Sequence, residues 1–271
     1  MREVKADGAR YFGPFSSRLG AESAIAAVHE VLPLRQCTKR LSASGRSADC
    51  VLAEMGRCGA PCTGTQSIRD YAVIVDQAAQ VIAGDSREVV GALRERMTSL
   101  SGQRRYEDAG AVRDRLVHLV RAAARAQRIA PLANSAEIVA ARPTPQGGWE
   151  VICVRFGRLA GTTMTPHGGD PRQYIEALAA SAESVGASPG PAASASAEET
   201  EKILRWLDSP DVRMVTIDGE WTCPVYGAGA ARDNLDADPT AYRDVVSFDE
   251  LSDLRLHHRP PAAVLVVPGQ W

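Results

Sequence analysis

The sequence predicts an α+β protein whose first half is mainly helical and whose second half combines strands with helices. Apolar residues recur at helical spacing over much of residues 18–128, and they form short strand-like runs over residues 136–163. Of the 271 residues, 45% are hydrophobic, which is enough to build a core. No apolar run is long enough to span a membrane, and the N-terminus has no secretory signal, so we expect a cytoplasmic protein.

The predicted organisation has three parts. Residues 1–66 carry an extended piece, a helix and a cysteine-rich module, residues 67–130 form further helices, and residues 134–271 form a small α+β domain. The stretch at 186–197 consists of Ala, Ser, Gly and Pro, which is typical of a flexible loop or linker.

The N-terminal piece combines aromatic side chains with a turn. Tyr11, Phe12 and Phe15 surround a Gly-Pro pair, and Arg10 precedes them. Aromatic rings beside a cation can stack on nucleic-acid bases, whereas buried rings pack against a neighbouring part of the fold. The residues alone leave both interpretations open.

Four helices are predicted in the first half, over residues 18–32, 68–83, 87–101 and 106–128. In each of them apolar residues recur at three- and four-residue spacing. The inward positions are Ala21, Ile25, Val28, Leu32, Ile68, Tyr71, Val75, Ala78, Ala79, Ile82, Val89, Val90, Leu93, Met97, Leu100, Tyr106, Ala109, Val112, Leu116, Leu119 and Val120. The last two helices form a hairpin whose apolar stripe needs a partner, in this chain or in another protein. Pro131 is expected to end the hairpin and to open a hinge.

The second half is predicted to begin with three strands. They cover residues 136–141, 149–156 and 158–163, and a turn at 145–148 joins the first two. The further expected elements are helices over 171–185 and about 197–209, and strands over 212–217 and 262–267. The tail at 227–260 is charged and rich in turn residues, and no element is predicted there.

The net charge of −2 conceals an asymmetry along the chain. Residues 1–130 carry 20 Lys and Arg against 14 Asp and Glu, and the remainder carries 11 against 19. A basic half is able to follow phosphates, although a mild excess of this kind is also typical of a solvated surface.

Four cysteines lie within one short stretch, separated by twelve, seven and three residues. They are Cys37, Cys50, Cys58 and Cys62. Four thiolates this close together can converge on zinc or an iron–sulfur cluster, while two disulfides or four unrelated buried thiols are the alternatives. Cys153 and Cys223 lie far apart and are expected to be small core residues.

Three stretches, in fixed order, resemble the middle of UvrC-type excision nuclease subunits. They are ARYFGPFSS, the cysteine module from LPLRQC to RCGAPC, and YEDAGAVRDRL. The resemblance covers about residues 8–120, and GWEVICVRFGRLAGT extends it to about Leu159. In that family a GIY-YIG nuclease domain precedes the first stretch, and neither its signature nor its catalytic residues occur before residue 8.

The resemblance implies a cofactor and partners. The four cysteines of the module would ligate an iron–sulfur cluster, [4Fe–4S] in type, with zinc or no metal as the alternatives. The last two helices would be the UVR hairpin, which pairs with a UvrB-like helicase subunit or with another hairpin of this type. The implied partner-binding residues are Tyr106, Glu107, Ala109, Arg113, Asp114 and Leu116. DNA is the second implied partner, with Arg10, Tyr11, Lys39 and Arg40 as candidate contacts.

The C-terminal half, with EETEKILRWLDSPDVRMV, resembles the tail of actinobacterial proteins that fuse a DEDD-type exonuclease to a GIY-YIG domain. On this interpretation the chain is the C-terminal part of a DNA nuclease. The sequence offers no catalytic residues, and it leaves open whether the chain has enzymatic activity. The leading hypothesis is a non-catalytic DNA-repair module, and the alternatives are a nuclease with diverged catalytic residues and a metal-dependent scaffold or redox sensor unrelated to DNA.

Overall fold

The computed structural model describes residues 4, 9–37, 50–237 and 263–267, and it confirms the α+β class. In chain order the elements are β1 (Arg10–Phe15), α1 (Arg18–Val31), α2 (Val51–Glu54), α3 (Ile68–Ala83), α4 (Arg87–Gly102), α5 (Tyr106–Asn134), β2 (Glu137–Pro143), β3 (Trp149–Arg155), β4 (Arg158–Met164), α6 (Pro171–Ser181), α7 (Ala197–Leu207), β5 (Arg213–Asp218), α8 (Ala228–Ala237) and β6 (Ala263–Val267). Among the described residues, no helix is both long and apolar enough to cross a membrane.

The chain divides into two compact units. The first unit contains residues 1–126 and 224–271, and the second unit contains residues 127–223. The C-terminal segment therefore returns to the N-terminal unit, and the boundary between the units falls within α5.

The first unit is built around the apolar faces of α1, α3, α4 and the first part of α5. Ser17 begins α1, since its Oγ accepts a hydrogen bond from the Gly20 N–H at 3.0 Å. Ala24 and Ala27 are fully buried, and such small side chains let neighbouring helices approach closely. The predicted stripes lie in this core, with the exception of Ile68 and Tyr106. These two residues start α3 and α5 and are exposed because the first turn of each helix extends beyond the packed face.

The turn between α4 and α5 is set by Arg104, which adopts a left-handed φ of 61°. The Arg105 N–H donates to the Leu100 carbonyl at 2.9 Å, and the Arg104 N–H donates to the Ser101 carbonyl at 2.9 Å. This is a Schellman motif, which satisfies the last carbonyls of α4 and redirects the chain. The hairpin predicted from the sequence is therefore present.

The last helix of the first half does not end before Pro131, contrary to the prediction, but continues to Asn134. Pro131 has no N–H to offer the Gln127 carbonyl, and the Cys223 Sγ lies 3.9 Å from that oxygen. Beyond the proline, Leu132 is fully buried, and the Ser135 N–H and Oγ both donate to the Pro131 carbonyl, at 3.1 and 2.8 Å. Burial and this C-terminal cap outweigh the missing helical hydrogen bond.

The second unit contains a four-stranded antiparallel sheet in the order β4-β3-β2-β5. Alternate residues of β2 enter different apolar clusters: Ile138 and Ala140 pack with α7 and the end of α5, whereas Val139 and Ala141 pack with α6. Both faces of the central strands are covered, which explains why β2 and β3 are almost continuously apolar.

Arg155 holds the end of α6 against this sheet. It forms a salt bridge with Glu137 at 2.6 Å and donates to the carbonyls of Ala179, Ala182 and Glu183 at 2.8 to 3.1 Å. An arginine at this position satisfies the last carbonyls of the helix and complements its dipole.

The C-terminal tail contains one helix that was not predicted, and its predicted final strand has a partner that the sequence did not indicate. Residues 228–237 form α8, whose Ala228 and Leu235 are buried in the core of the first unit. β6 pairs antiparallel with β1 at the opposite end of the chain, with Arg10 opposite Val267. Both depend on contacts that are distant in sequence, which periodicity within the tail does not reveal.

Candidate functional site

The four cysteines of the module lie between α1 and α3, in the first unit. Cys37 follows α1 and is exposed, Cys50 precedes α2 and is half-buried, Cys58 is buried, and Cys62 is half-buried. Cys50 lies directly before the short α2, and Cys58 and Cys62 lie in the irregular segment that follows it. Between these two cysteines, Ala60 adopts a left-handed φ of 53°. All four are free thiols, so neither disulfide is formed.

The Cys58 thiol lies within electrostatic reach of the other three. Burial raises the pKa of Cys58, and the charges of Cys50, Cys37 and Cys62 raise it further, while a hydrogen bond from the Ala60 backbone lowers it. Each of the other three cysteines is therefore near enough to act on Cys58, and the Cys58 sulfur accepts a hydrogen bond from a backbone donor.

Two residues surround this neighbourhood. The Arg35 Nε donates to the Cys37 Sγ at 3.0 Å, which places a cation beside that sulfur. Tyr71 of α3 is buried; burial raises the pKa of its phenol, and the charges of Cys58 and Cys37 raise it further, while a backbone hydrogen bond at Arg35 lowers it. Tyr71 of α3 is therefore near the thiols of Cys58 and Cys37.

The donor chemistry of this module fits zinc or an iron–sulfur cluster, since all four side chains are soft sulfur donors. Within the described residues, no three His, Cys, Asp or Glu side chains stand close enough together to hold a metal ion as placed. A bound centre would therefore require the sulfur atoms to move toward a common point.

The two remaining cysteines differ from each other. Cys153 is fully buried in β3, as expected, and its Sγ lies 3.8 Å from a carboxylate oxygen of Glu137. Cys223 is exposed, so its assignment to the core was wrong. It follows the last strand of the second unit, in an irregular segment that leaves the sheet.

The predicted partner-binding residues of the hairpin separate into two groups. Ala109 and Leu116 are buried in the core of the first unit. Tyr106 is 66% exposed, and Glu107 is also exposed. Asp114 is exposed as well and accepts from Arg113 at 3.0 Å, and the side chain of that arginine is only 18% exposed. The exposed residues of this set therefore include the start of α5, while Ala109 and Leu116 belong to the core.

Gly110 lies between the exposed and the buried positions of α5. Apart from the helix itself, a Cβ added there would meet only the Arg113 Nη2, at 4.0 Å. No neighbouring main chain among the described residues uses the space above this glycine.

A carboxylate that the sequence analysis did not single out joins the hairpin to α1. Glu30 is only 10% exposed as a side chain, and its two oxygens face Arg115 of α5 at 2.5 Å and Arg96 of α4 at 3.8 Å. One carboxylate thus holds both helices of the hairpin. The two arginines lie 66 and 85 positions away in the chain, and no local pattern indicates such a pairing.

The structure describes two of the four predicted DNA-contacting residues, Arg10 and Tyr11. Arg10 is exposed and forms a salt bridge with Asp76 at 2.5 Å, and Tyr11 is half-buried in β1. Of the two remaining aromatic residues, Phe15 is buried and Phe12 packs against the core, so these rings serve packing. Lys39 and Arg40 lie outside the described residues.

One stretch of the first unit matches a known protein family. Residues 1–81, which include β1, α1, the four cysteines and most of α3, match the family model described as the UvrC/Cho excinuclease middle domain. Residues 1–81 are therefore similar to the UvrC/Cho middle domain, in agreement with the resemblance found in the sequence.

Individual relatives extend the match beyond the middle domain. A candidate bifunctional exonuclease/endonuclease protein from Mycobacterium tuberculosis (strain CDC 1551 / Oshkosh) is 33% identical over 226 residues, which is 81% of this chain and 35% of that protein. The UvrABC system protein C of Thermoanaerobacter sp. (strain X514) is 30% identical over 162 residues, 59% of this chain and 26% of that protein. The same protein of Geobacter metallireducens is 31% identical over 163 residues, 60% of this chain and 26% of that protein. The chain thus spans about a quarter to a third of the length of these relatives, and no solved structure matches it.

Proposed function

We propose that this chain is a DNA-repair module of the nucleotide excision type, which holds a metal centre and docks a partner through the helical hairpin without cleaving DNA itself. The observation that carries the proposal is that three cysteines act on the Cys58 thiol, in a unit that also contains the hairpin and whose residues 1–81 match the UvrC middle domain. The centre would fix the module, and the hairpin, held to α1 by Glu30, would present its exposed end to the partner.

The metal centre of this proposal is a [4Fe–4S] cluster, with zinc as the alternative. Cys37, Cys50, Cys58 and Cys62 would be its ligands. Arg35 donates to the Cys37 sulfur and the Ala60 backbone donates to Cys58, and such hydrogen bonds to ligand sulfurs stabilise the charge of a thiolate-bound centre.

Replacement of one buried thiol tests the centre. Cys58→Ser is expected to release the metal and to lower the melting temperature, because a metal site that forms only in the folded state contributes its binding free energy to folding. Anaerobic purification followed by metal analysis and visible absorbance measures the loss. Cys223→Ser is the matched control, since that thiol is exposed and lies in the second unit. Unchanged metal content and melting in Cys58→Ser would contradict the proposal.

The proposed docking partner is a UvrB-like helicase subunit or another hairpin of the UVR type, and DNA is the further partner. Glu107→Lys reverses an exposed charge at the start of α5 and is expected to weaken binding of the partner by about tenfold, since close charge pairs across an interface contribute about 1.5 kcal/mol or more. Calorimetric titration with the UvrB-type subunit measures the change. Glu176→Lys makes the same charge change on an exposed residue of α6 in the second unit and is expected to leave binding unaltered. Equal loss in both variants would indicate a general effect of charge rather than docking at the hairpin.

A further inference from the structure

The two outer strands of the sheet in the second unit differ in how their edges are covered. The strand order makes β4 and β5 the outer strands. At β4, the Leu159 N–H donates to the Glu199 Oε1 at 3.0 Å. The Ala160 carbonyl of the same strand accepts from the Glu183 N–H at 2.9 Å. Neighbouring segments of this chain therefore use main-chain groups of β4, which protects that edge against pairing with another strand.

The edge strand β5 is exposed along most of its length. It pairs with β2, and every one of its residues except the half-buried Met214 is exposed. Two of the exposed side chains are apolar: Val215 is 41% exposed and Ile217 is 38% exposed. An exposed edge strand with apolar side chains is a template to which a further strand can be added, because its outward main-chain groups can pair with those of that strand.

An irregularity at Val215 decides which side chains of β5 share a face. Met214 lies opposite Ala140 of β2, and Thr216 lies opposite Val139, so the register shifts at this point and Val215 is an extra residue. Such a bulge interrupts the strict alternation of side chains between the two faces of a strand. Residues on either side of Val215 can therefore share a face although they are an odd number of positions apart.

Arg213 and Asp218, at the two ends of β5, share a face in this way. Arg213 lies opposite Ala141 of β2, and Asp218 lies opposite Glu137. Ala141 and Glu137 are four positions apart, which places them on one face of β2, and Ala141 packs in the cluster that contains α6. Both charged residues of β5 are exposed. A cation and an anion therefore stand at opposite ends of the strand, on the same face.

These charges make β5 complementary to a second copy of itself. When two copies of β5 pair antiparallel about a two-fold axis, Arg213 of each copy can lie opposite Asp218 of the other. In this register Met214 lies opposite Ile217 of the other copy. Both belong to the opposite face, since Met214 packs in the cluster that contains α7 and Ile217 lies opposite Ile138 of that cluster. Charged pairs thus meet on one face and apolar pairs on the other.

We propose that the second unit forms a homodimer in which β5 pairs antiparallel with β5 of a second copy and joins the two sheets into one. Main-chain hydrogen bonds and the exposed apolar side chains supply the attraction, and the two Arg213–Asp218 pairs set the register. This dimerisation goes beyond the docking function proposed above and does not depend on it. The β5 edge belongs to the second unit, whereas α4 and the start of α5 belong to the first.

Sedimentation equilibrium of the full chain over a concentration series tests the proposal, and a monomer–dimer equilibrium is expected. Arg213→Glu and Asp218→Arg each bring like charges opposite one another and are expected to weaken dimerisation by about tenfold or more. The double variant Arg213→Glu/Asp218→Arg restores opposite charges, and its dimer dissociation constant is expected to lie within about threefold of that of the natural protein. Lys202→Glu makes the same charge change as Arg213→Glu on an exposed residue of α7, which contacts β4, and is expected to change dimerisation by less than about twofold.

Hydrogen exchange locates the contact, because the amides of β5 are expected to exchange more slowly as the protein concentration rises while those of β4 stay unchanged. Circular dichroism checks the fold of each variant. The charge pair is reciprocal, so Asp218→Arg carries the test if Arg213→Glu does not fold.

Three results would overturn the proposal. The first is a chain that stays monomeric throughout the concentration series, which would leave the β5 edge to a strand of another protein. The second is a double variant that dimerises no better than the single variants, or a Lys202→Glu variant that loses as much as they do. The third is protection that appears on dimerisation at α4 and the start of α5 instead of at β5, which would assign the dimer to the hairpin.

Discussion

At the scale of single residues, the six cysteines show what the spacing of residues along the sequence can and cannot predict. The spacing of the first four groups them in the sequence. In the structure the other three raise the pKa of Cys58, but no three His, Cys, Asp or Glu side chains of the described residues stand close enough together to hold a metal ion. The burial of Cys153 and the exposure of Cys223 depend on the sheet and on the segment that leaves it, so the same residue type at two isolated positions has two different outcomes. Isolated residues carry no period from which burial can be inferred.

The Cys153 thiol is expected to make the free energy of unfolding depend on pH in the alkaline range. Burial in β3 raises the pKa of its thiol from 9.0 to about 11, and the carboxylate of Glu137 adds to the effect. A group whose pKa is higher in the folded state stabilises the fold fully below the unfolded pKa, and this contribution is lost as the pH rises from about 9 to about 11. The free energy of unfolding is expected to fall more between about pH 8 and about pH 10.5 in the natural protein than in Cys153→Ala. Urea denaturation at both pH values measures it, and parallel losses in the two proteins would argue against ionisation of this thiol.

At the scale of elements, the periodic helices and the three-strand group follow from the sequence, because their apolar positions face a core on one side or, for β2 and β3, on both. Apart from α8, which was not predicted, the errors occur at element ends. Pro131 predicts a stop from its missing N–H, yet the helix continues, because Leu132 is buried and Ser135 caps the end. A proline indicates where a helix tends to end, whereas burial of the residues beyond it decides where the helix does end.

The attachment of the hairpin to α1 is a contact between elements, and it depends on the carboxylate of Glu30. Glu30→Gln leaves Arg115 and Arg96 without their anion in a partly buried place, so the free energy of unfolding is expected to fall by about 1–3 kcal/mol. Glu22→Gln is the matched control on the same helix. Its pair with Arg18 is exposed, and a change below about 0.5 kcal/mol is expected. Chemical denaturation of both variants gives the comparison, and an equally small change in Glu30→Gln would mean that apolar packing alone holds the hairpin.

At the scale of the whole molecule, the contacts that define the first unit join the two ends of the chain. The pairing of β1 with β6 and the packing of α8 involve residues more than 100 positions apart, and neither element alone shows which partner it selects. The candidate cysteine ligands, in contrast, are predicted from the sequence because they are close together in the chain. Within the described residues, the parts that the sequence did not reveal, such as the Glu30 pairing, are formed by distant segments.

A buried residue of α8 tests whether the tail belongs to the first unit. Leu235→Ala removes a side chain from the core that contains α1, α3 and α4, and the free energy of unfolding of this unit is expected to fall by about 2–3 kcal/mol. Hydrogen exchange distinguishes the units, because the amides of α1 and α3 should exchange faster while those of β2 and β3 keep their protection. Val225→Ala shortens a side chain that is 87% exposed and is expected to leave both units unchanged. If Leu235→Ala also leaves the exchange of α1 and α3 unchanged, the tail does not contribute to this core, and the first unit is stable on the contacts of residues 9–126 alone.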